Sequence, residues 1–192
     1  MTDPLLFPVP AVIETKRLFL RAFREEDSHE LHAALAESAK ELRQFLWFLS
    51  WIAEEQTLQS AEVRCRKAEA NFLLRTDLPY LAFERETRRL VGSVGLHRTD
   101  WQLPKTEVGY WVRTSETGKG YAREAVMALV TWALEQLQAK RVELVTDEQN
   151  AGSRRVAEMC GFVLEGTLHN VLVSPEGALR HNCVYAKLPT AA

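Results

Sequence analysis

Apolar and polar positions recur along the chain with two periods, and their succession predicts the elements. Residues 14–23, ETKRLFLRAF, alternate and read as a strand. Across residues 27–46, Leu31, Ala34, Leu35, Ser38, Leu42 and Phe45 fall at helical spacing, with Asp27 or Ser28 as the N-cap. WFLSW at 47–51 turns the corner into a second helix, capped near Thr57 and running to about Leu74. YLAFERE and RLVGSVGLHR follow as two strands joined by a charged turn. EVGYWVRT at 107–114 alternates again, with Glu107, Gly109, Trp111 and Arg113 on one side and Val108, Tyr110 and Val112 on the other. The broadest apolar stripe, Ala122, Ala125, Val126, Leu129, Val130, Ala133, Leu134 and Leu137, predicts a helix over 120–138. RVELVT is the next strand, and a short helix from about Ser153 to Cys160 ends at Gly161, a C-cap candidate. FVLEGTLHNVLV and HNCVYAKL, joined by a Pro-Glu-Gly turn, form a closing hairpin. The order β-αα-βββ-α-β-α-ββ implies an α/β (α+β) chain with a mixed, largely antiparallel sheet of seven strands and helices packed on it.

Composition narrows the functional classes. The 192 residues suit one domain, 1–192, with a core of about 12–188. A formal net charge of −2 argues against bulk electrostatic binding of nucleic acid. The most apolar window, FLWFLSWIA at 45–53, is too short to span a bilayer, and MTDPLLFPVP makes a poor signal peptide. Cys65, Cys160 and Cys183 lie far apart and read as reduced structural thiols in a cytoplasmic protein. His29 and His32 lie three apart on a helix without a further ligand set, so no metal is expected.

The stretch SETGKGYAR at 115–123 sits between a strand and a helix. Gly118 and Gly120 let the backbone turn sharply and approach a ligand, and a helix start adds unpaired N–H groups suited to pyrophosphate. A plain glycine-containing connection is the alternative from the loop alone. A P-loop is excluded because Lys119 is followed by Gly120, and a dinucleotide fingerprint because position 123 is Arg.

EVGYWV, TGKGYAREAV and NAGSRRVAEMCGFVLEG, in that order, resemble the GNAT superfamily of acetyl-CoA-dependent N-acetyltransferases. ETKRLFLRAF, LVGSVGLH at 90–97 and the Trp-containing bend are similar to the branch of the ribosomal-protein N-terminal acetyltransferases RimJ and RimL. The resemblance implies a GNAT fold with helices on both faces and a splay between strands 4 and 5, counted over the seven. It implies acetyl-CoA as co-substrate, its pyrophosphate held by the backbone of Thr117, Gly118, Lys119, Gly120, Tyr121 and Ala122. Thr117 replaces the family's usual Arg or Gln. The pantetheine arm is implied to contact the backbone of Trp111, Val112 and Arg113, and Asn150 the far side of the cofactor. Many family members protonate the thiolate with a tyrosine where this chain has Ala157, and a RimL-like member is expected to use Ser153.

Direct acetyl transfer needs a neutral amine, a polarised thioester and a proton for the departing thiolate. Glu107, at the entry to the splay, is the base candidate, against a reading as a solvated strand-edge charge; Glu165 is a weaker one. Ser153 can serve as proton donor, cofactor contact and helix cap together. Trp47 and Trp51 are expected to seal the acceptor side or to belong to the core, and His181, where this branch usually has aspartate, to touch acceptor or strand-end packing. The acceptor is expected to be a protein N-terminus, such as that of a ribosomal protein, bound by a monomer or homodimer. A small amine (polyamine, amino acid or aminoglycoside) and a non-catalytic acyl-CoA sensor are the rivals.

Overall fold

The computed structural model describes residues 3–189. One sheet of eight strands forms the frame, in the order β1-β2-β3-β4-β5-β6-β8-β7. The strands are β1 (Val12–Glu14), β2 (Leu18–Ala22), β3 (Leu78–Glu84), β4 (Leu90–Asp100), β5 (Lys105–Val112), β6 (Arg141–Asp147), β7 (Val163–Val173) and β8 (Leu179–Lys187). The eighth strand, Val12–Glu14, lies just ahead of the expected strand at 14–23, whose regular part runs over Leu18–Ala22. The Thr15 N–H donates to Leu18 O, and the Leu18 N–H donates to the Thr15 hydroxyl, so the chain turns and Val12–Glu14 returns as an edge strand.

The helices are α1 (Ser28–Leu46), α2 (Ser50–Ala53), α3 (Leu58–Leu74), α4 (Tyr121–Glu135) and α5 (Ala151–Met159). Thr57 caps α3 as its position predicts, its hydroxyl accepting from Ser60 N at 3.0 Å. Asp27 does not cap α1 with its side chain; it closes the preceding turn by accepting from Arg24 N.

Alternation along the strands divides the core into two layers. Tyr80 and Ala82 on β3, with Val94, Leu96 and Val108, pack under Val126, Leu129, Val130 and Ala133 of α4. Leu81, Phe83 and Trp111 face the opposite way, against Leu31, Ala34 and Leu35 of α1 and Ala61 and Cys65 of α3. Side chains such as Leu31 and Leu129, with 0% exposure, each stabilise the fold by about 1.5–3 kcal/mol through burial.

One feature of the sheet positions the site. β5 and β6 run parallel and pair only at Lys105–Glu107 with Arg141–Glu143. Beyond that, β5 stays with β4 as far as Val112, while β6 stays with β8 as far as Asp147. The two strands therefore part after Glu107, and the sheet opens between α4 and α5.

Candidate active site

Above the opening, α4 begins at a loop built for left-handed backbone. Gly118 and Gly120 have φ of 76° and 81°, a region that glycine enters without a Cβ penalty. Among the described residues, no protein hydrogen bond takes the N–H groups of Gly118 through Arg123; the first intrahelical donor is Glu124 N, to Gly120 O. A run of unpartnered amides at a helix N-terminus is the arrangement that holds a phosphate.

The side chains around the loop brace it. Glu124 accepts from the Thr15 hydroxyl, from Arg17 N and from Arg17 Nε at 2.6 Å, and Arg17 Nη1 donates to Lys119 O. Burial alone would raise the Glu124 carboxyl, but these hydrogen bonds outweigh it and hold the group below its ordinary range. Lys119 is not a free cation: its Nζ donates at 2.7 Å to Glu116, a buried carboxylate that also pairs with Arg89. The Thr117 hydroxyl donates to Thr114 O, so its proton is spent on the turn. The cradle consists of backbone.

Along the opening, the expected contacts divide by strand parity. Arg113 N donates to Val91 O and Arg113 O accepts from Glu116 N, so the Arg113 backbone bonds within the protein, contrary to the expected pantetheine contact. Trp111 shares that parity, paired with Ser93 of β4. The backbone groups of Tyr110 and Val112 therefore point into the gap.

Beyond the end of β6, Asn150 caps α5, its side-chain oxygen accepting from Ser153 N at 3.0 Å. The Ser153 and Tyr110 hydroxyls share a hydrogen bond of 2.9 Å. Burial pushes the Tyr110 hydroxyl up to about 12, so it stays protonated at neutral pH. Either hydroxyl can donate in that bond; when Tyr110 does, the Ser153 proton is free to face the gap. Sequence alternation assigns Tyr110 its side of β5, but its partner lies 43 residues downstream, and no local signal joins them.

The opening leads into a cleft of about 2130 Å³ whose other wall is the α1–α3 face. Glu107 and Trp51 line it, with the Arg64 guanidinium 3.8 Å from the centre of the Trp51 ring. Glu107 is ion-paired with Arg98 through both oxygens, the Arg98 Nε bond being 3.0 Å. Trp47, His181 and Glu165 do not line the cleft. Trp47 Nε1 donates to Val173 O, tying the end of α1 to β7. His181 points along the β7–β8 hairpin, where its Nδ1 accepts from Asn170 N. Glu165 pairs with Arg141 at 2.5 and 2.9 Å on the exposed side. Asp147 does line the cleft, held by Arg180 at 2.7 Å, with its second oxygen buried and unpartnered.

A parallel strand pair that parts beside an amide cradle, with hydroxyls at the parting point, is the architecture of an acyltransferase that takes its acyl group from coenzyme A. Residues 17–163 match the family described as the acetyltransferase (GNAT) domain, and the chain belongs to that family. The ribosomal-protein-serine acetyltransferase of Escherichia coli (strain K12) is 27% identical over 150 residues, 74% of this chain and 83% of that protein. The alignment with Bacillus subtilis (strain 168) YdaF is 35% identical over 99 residues, 52% of this chain and 53% of that protein. Among solved structures, the ribosomal L7/L12 alpha-N-protein acetyltransferase RimL in complex with coenzyme A superposes with a TM-score of 0.85. It is 21% identical, and the match covers 94% of this chain and 99% of that one. The microcin C7 self immunity acetyltransferase MccE, solved with acetyl-CoA and AMP, gives the same TM-score at 19% identity, covering 94% of this chain and 97% of that one. Among the described residues no helix is long and apolar enough to cross a membrane, and no three metal-ligating side chains cluster.

Proposed function

We propose that this chain transfers the acetyl group of acetyl-CoA to the α-amine of a protein N-terminus in the cytoplasm. The observation that carries the reading is the parting of β5 and β6, which joins the unpartnered amides of Gly118–Arg123 to the Ser153–Tyr110 hydroxyl pair. The amides of the α4 loop hold the pyrophosphate, and Asn150 steadies the cofactor from α5. Tyr110 and Val112 offer N–H groups along the pantetheine arm, where one polarises the thioester carbonyl. Ser153, oriented by Tyr110, gives its proton to the departing thiolate.

Two considerations favour a protein N-terminus as acceptor. The cleft extends beyond the cofactor loop along the α1–α3 face, past Trp51, Arg64 and Asn71, so an extended segment can lie in it. A relative similar over most of its length is named for acetylating a ribosomal-protein serine. The chemistry agrees: an α-amine with a pKa of about 7.7–8.0 is roughly one-tenth neutral at pH 7, whereas a lysine near 10.4 is neutral to well under about 0.1%. An acceptor of the former kind needs only a weak base.

The test is release of CoA thiol from acetyl-CoA with N-terminal peptides of varied first residue, beside polyamines and free amino acids. Turnover on Ser- or Ala-initiated peptides well above that on small amines is expected. Tight acetyl-CoA binding with no turnover on any amine would mean a sensor, and preference for a small amine would reassign the acceptor.

A further inference from the structure

His97 stands in the cleft beside Glu107 and directly across the β4–β5 ladder from it. Its Nδ1 lies 3.1 Å from Asp77 Oδ1. A carboxylate only accepts hydrogen bonds, so Nδ1 carries the proton in the neutral ring and the Nε2 lone pair is free. Among the described residues Nε2 has no hydrogen-bond partner.

The strands are shaped around this ring. A Cβ at Gly95 would lie 3.0 Å from Nε2, and one at Gly109 would lie 3.2 Å from the ring's Cδ2 and 3.4 Å from Nε2. Two glycines, one on each strand, thus leave the space that the imidazole occupies. Gly109 immediately precedes Tyr110, whose backbone faces the opening, so the ring lies beside the start of the opening on the α1–α3 side. Directly after His97 the register slips, and Arg98 takes a left-handed φ of 52°. This bulge turns Arg98 back onto Glu107, so that carboxylate is ion-paired while the imidazole Nε2 stays open to the cleft. His97 is 37% exposed on its side chain, open enough for an acceptor to reach.

We propose that His97, oriented by Asp77, is the general base that takes the proton from the acceptor amine, while Glu107 and Arg98 shape the wall beside it. The step rests on the acetyl-transfer reading above. The amine nitrogen forms its bond to the thioester carbonyl carbon, and the C–S bond breaks. The amine proton passes to His97 Nε2, and Ser153 supplies a proton to the thiolate. The products are the amide and CoA thiol, and solvent restores the two side chains to their starting protonation.

The experiment compares wild type, H97Q, H97A, D77N and E107Q, using the full chain with acetyl-CoA. Acceptors are a Ser-initiated peptide, a simple alkylamine and hydroxylamine, which is already neutral at pH 7. H97Q is expected to lower kcat on the peptide by about 10²–10⁴-fold with the acetyl-CoA KM little changed. Its loss should be smaller on hydroxylamine and larger on the alkylamine, D77N should follow it by a smaller factor, and E107Q should lose less than H97Q. In H97A, added imidazoles should restore turnover in the order of their basicity, which filling a cavity would not reproduce. An H97Q rate within threefold of wild type, equal losses across the three acceptors, or rescue indifferent to imidazole basicity would overturn the assignment. If wild type acetylates the alkylamine or hydroxylamine but no peptide, the N-terminal reading fails alone, and the rescue series still decides His97. No turnover on any of the three would remove both.

Discussion

Gly120 gives the sharpest test of the backbone cradle. It is the N-cap of α4 with φ 81° and ψ 10°, and a Cβ built there meets only Arg17 Nη2, at 3.5 Å. That is ordinary contact, so a side chain is opposed by the backbone conformation and not by crowding. Holding an L-residue left-handed costs about 1–2 kcal/mol, and a β-branched residue is the worst case. Gly120→Val should therefore lower stability by about 1–2 kcal/mol, roughly 2–8 °C in Tm for a chain of this size. If valine escapes the strain by rotating φ, the amides of Gly120 and Tyr121 swing out of line with their neighbours. Losing one charge-assisted hydrogen bond to pyrophosphate, worth about 1.5–3 kcal/mol, weakens CoA binding by about 10–100-fold. Gly120→Asn is the control, because asparagine tolerates the left-handed region; it should keep most of the stability and affinity. Thermal melts without ligand and calorimetric titration with CoA read the two effects separately. CoA affinity unchanged in Gly120→Val, or equal losses in the Asn and Val variants, would refute the claim that oriented amides hold the pyrophosphate.

Other expectations follow from the hydroxyl pair and from the brace under the loop. Ser153→Ala should reduce kcat by about 10²-fold or more while CoA binding changes little; Tyr110→Phe, which keeps the ring and loses the hydroxyl, should show a smaller loss in the same thiol-release assay. An unchanged rate in Ser153→Ala removes it as the proton donor. Glu37 accepts from Ser115 N and Arg113 Nε, and hydrogen bonding to Ser115, reinforced by Arg113, lowers its carboxyl from 4.5 to about 2. Because the folded value is depressed, this carboxylate stabilises the fold fully above pH 4.5, and the contribution is lost as pH falls toward 2. Glu37 is 29% exposed on its side chain, so solvent screening reduces the contribution to about 1 kcal/mol. Urea melts of wild type and Glu37→Gln should differ by that amount at pH 7 and converge as pH falls toward 2; a constant gap would contradict the linkage.

Features set by local spacing were legible in the sequence, and features set by register were not. The N-cap at Thr57, the stripe of α4 and the glycines at 118 and 120 are written within a few residues of where they act. The division of β5 into two faces follows from alternation, and Trp111 and Val108 pack in opposite layers accordingly. Trp47 and His181 carry the right chemistry for a cleft, but α1 ends against β7, and His181 turns into its own hairpin. The Asp77–His97 pair shows why such contacts escape a linear reading. In the hairpin of β3 and β4, Phe83 pairs with Leu90, and that register carried back unbroken would set Asp77 opposite Leu96. A slip between Ala82 and Phe83 shifts the pairing by one, so that Ala82 meets Gly92 and Leu78 meets Leu96. Extended one step further, the same register sets Asp77 opposite His97. A one-residue bulge thus brings carboxylate and imidazole together, and because such a slip also exchanges the faces of a strand, removing it would turn the dyad away from the cleft. Neither residue encodes that slip.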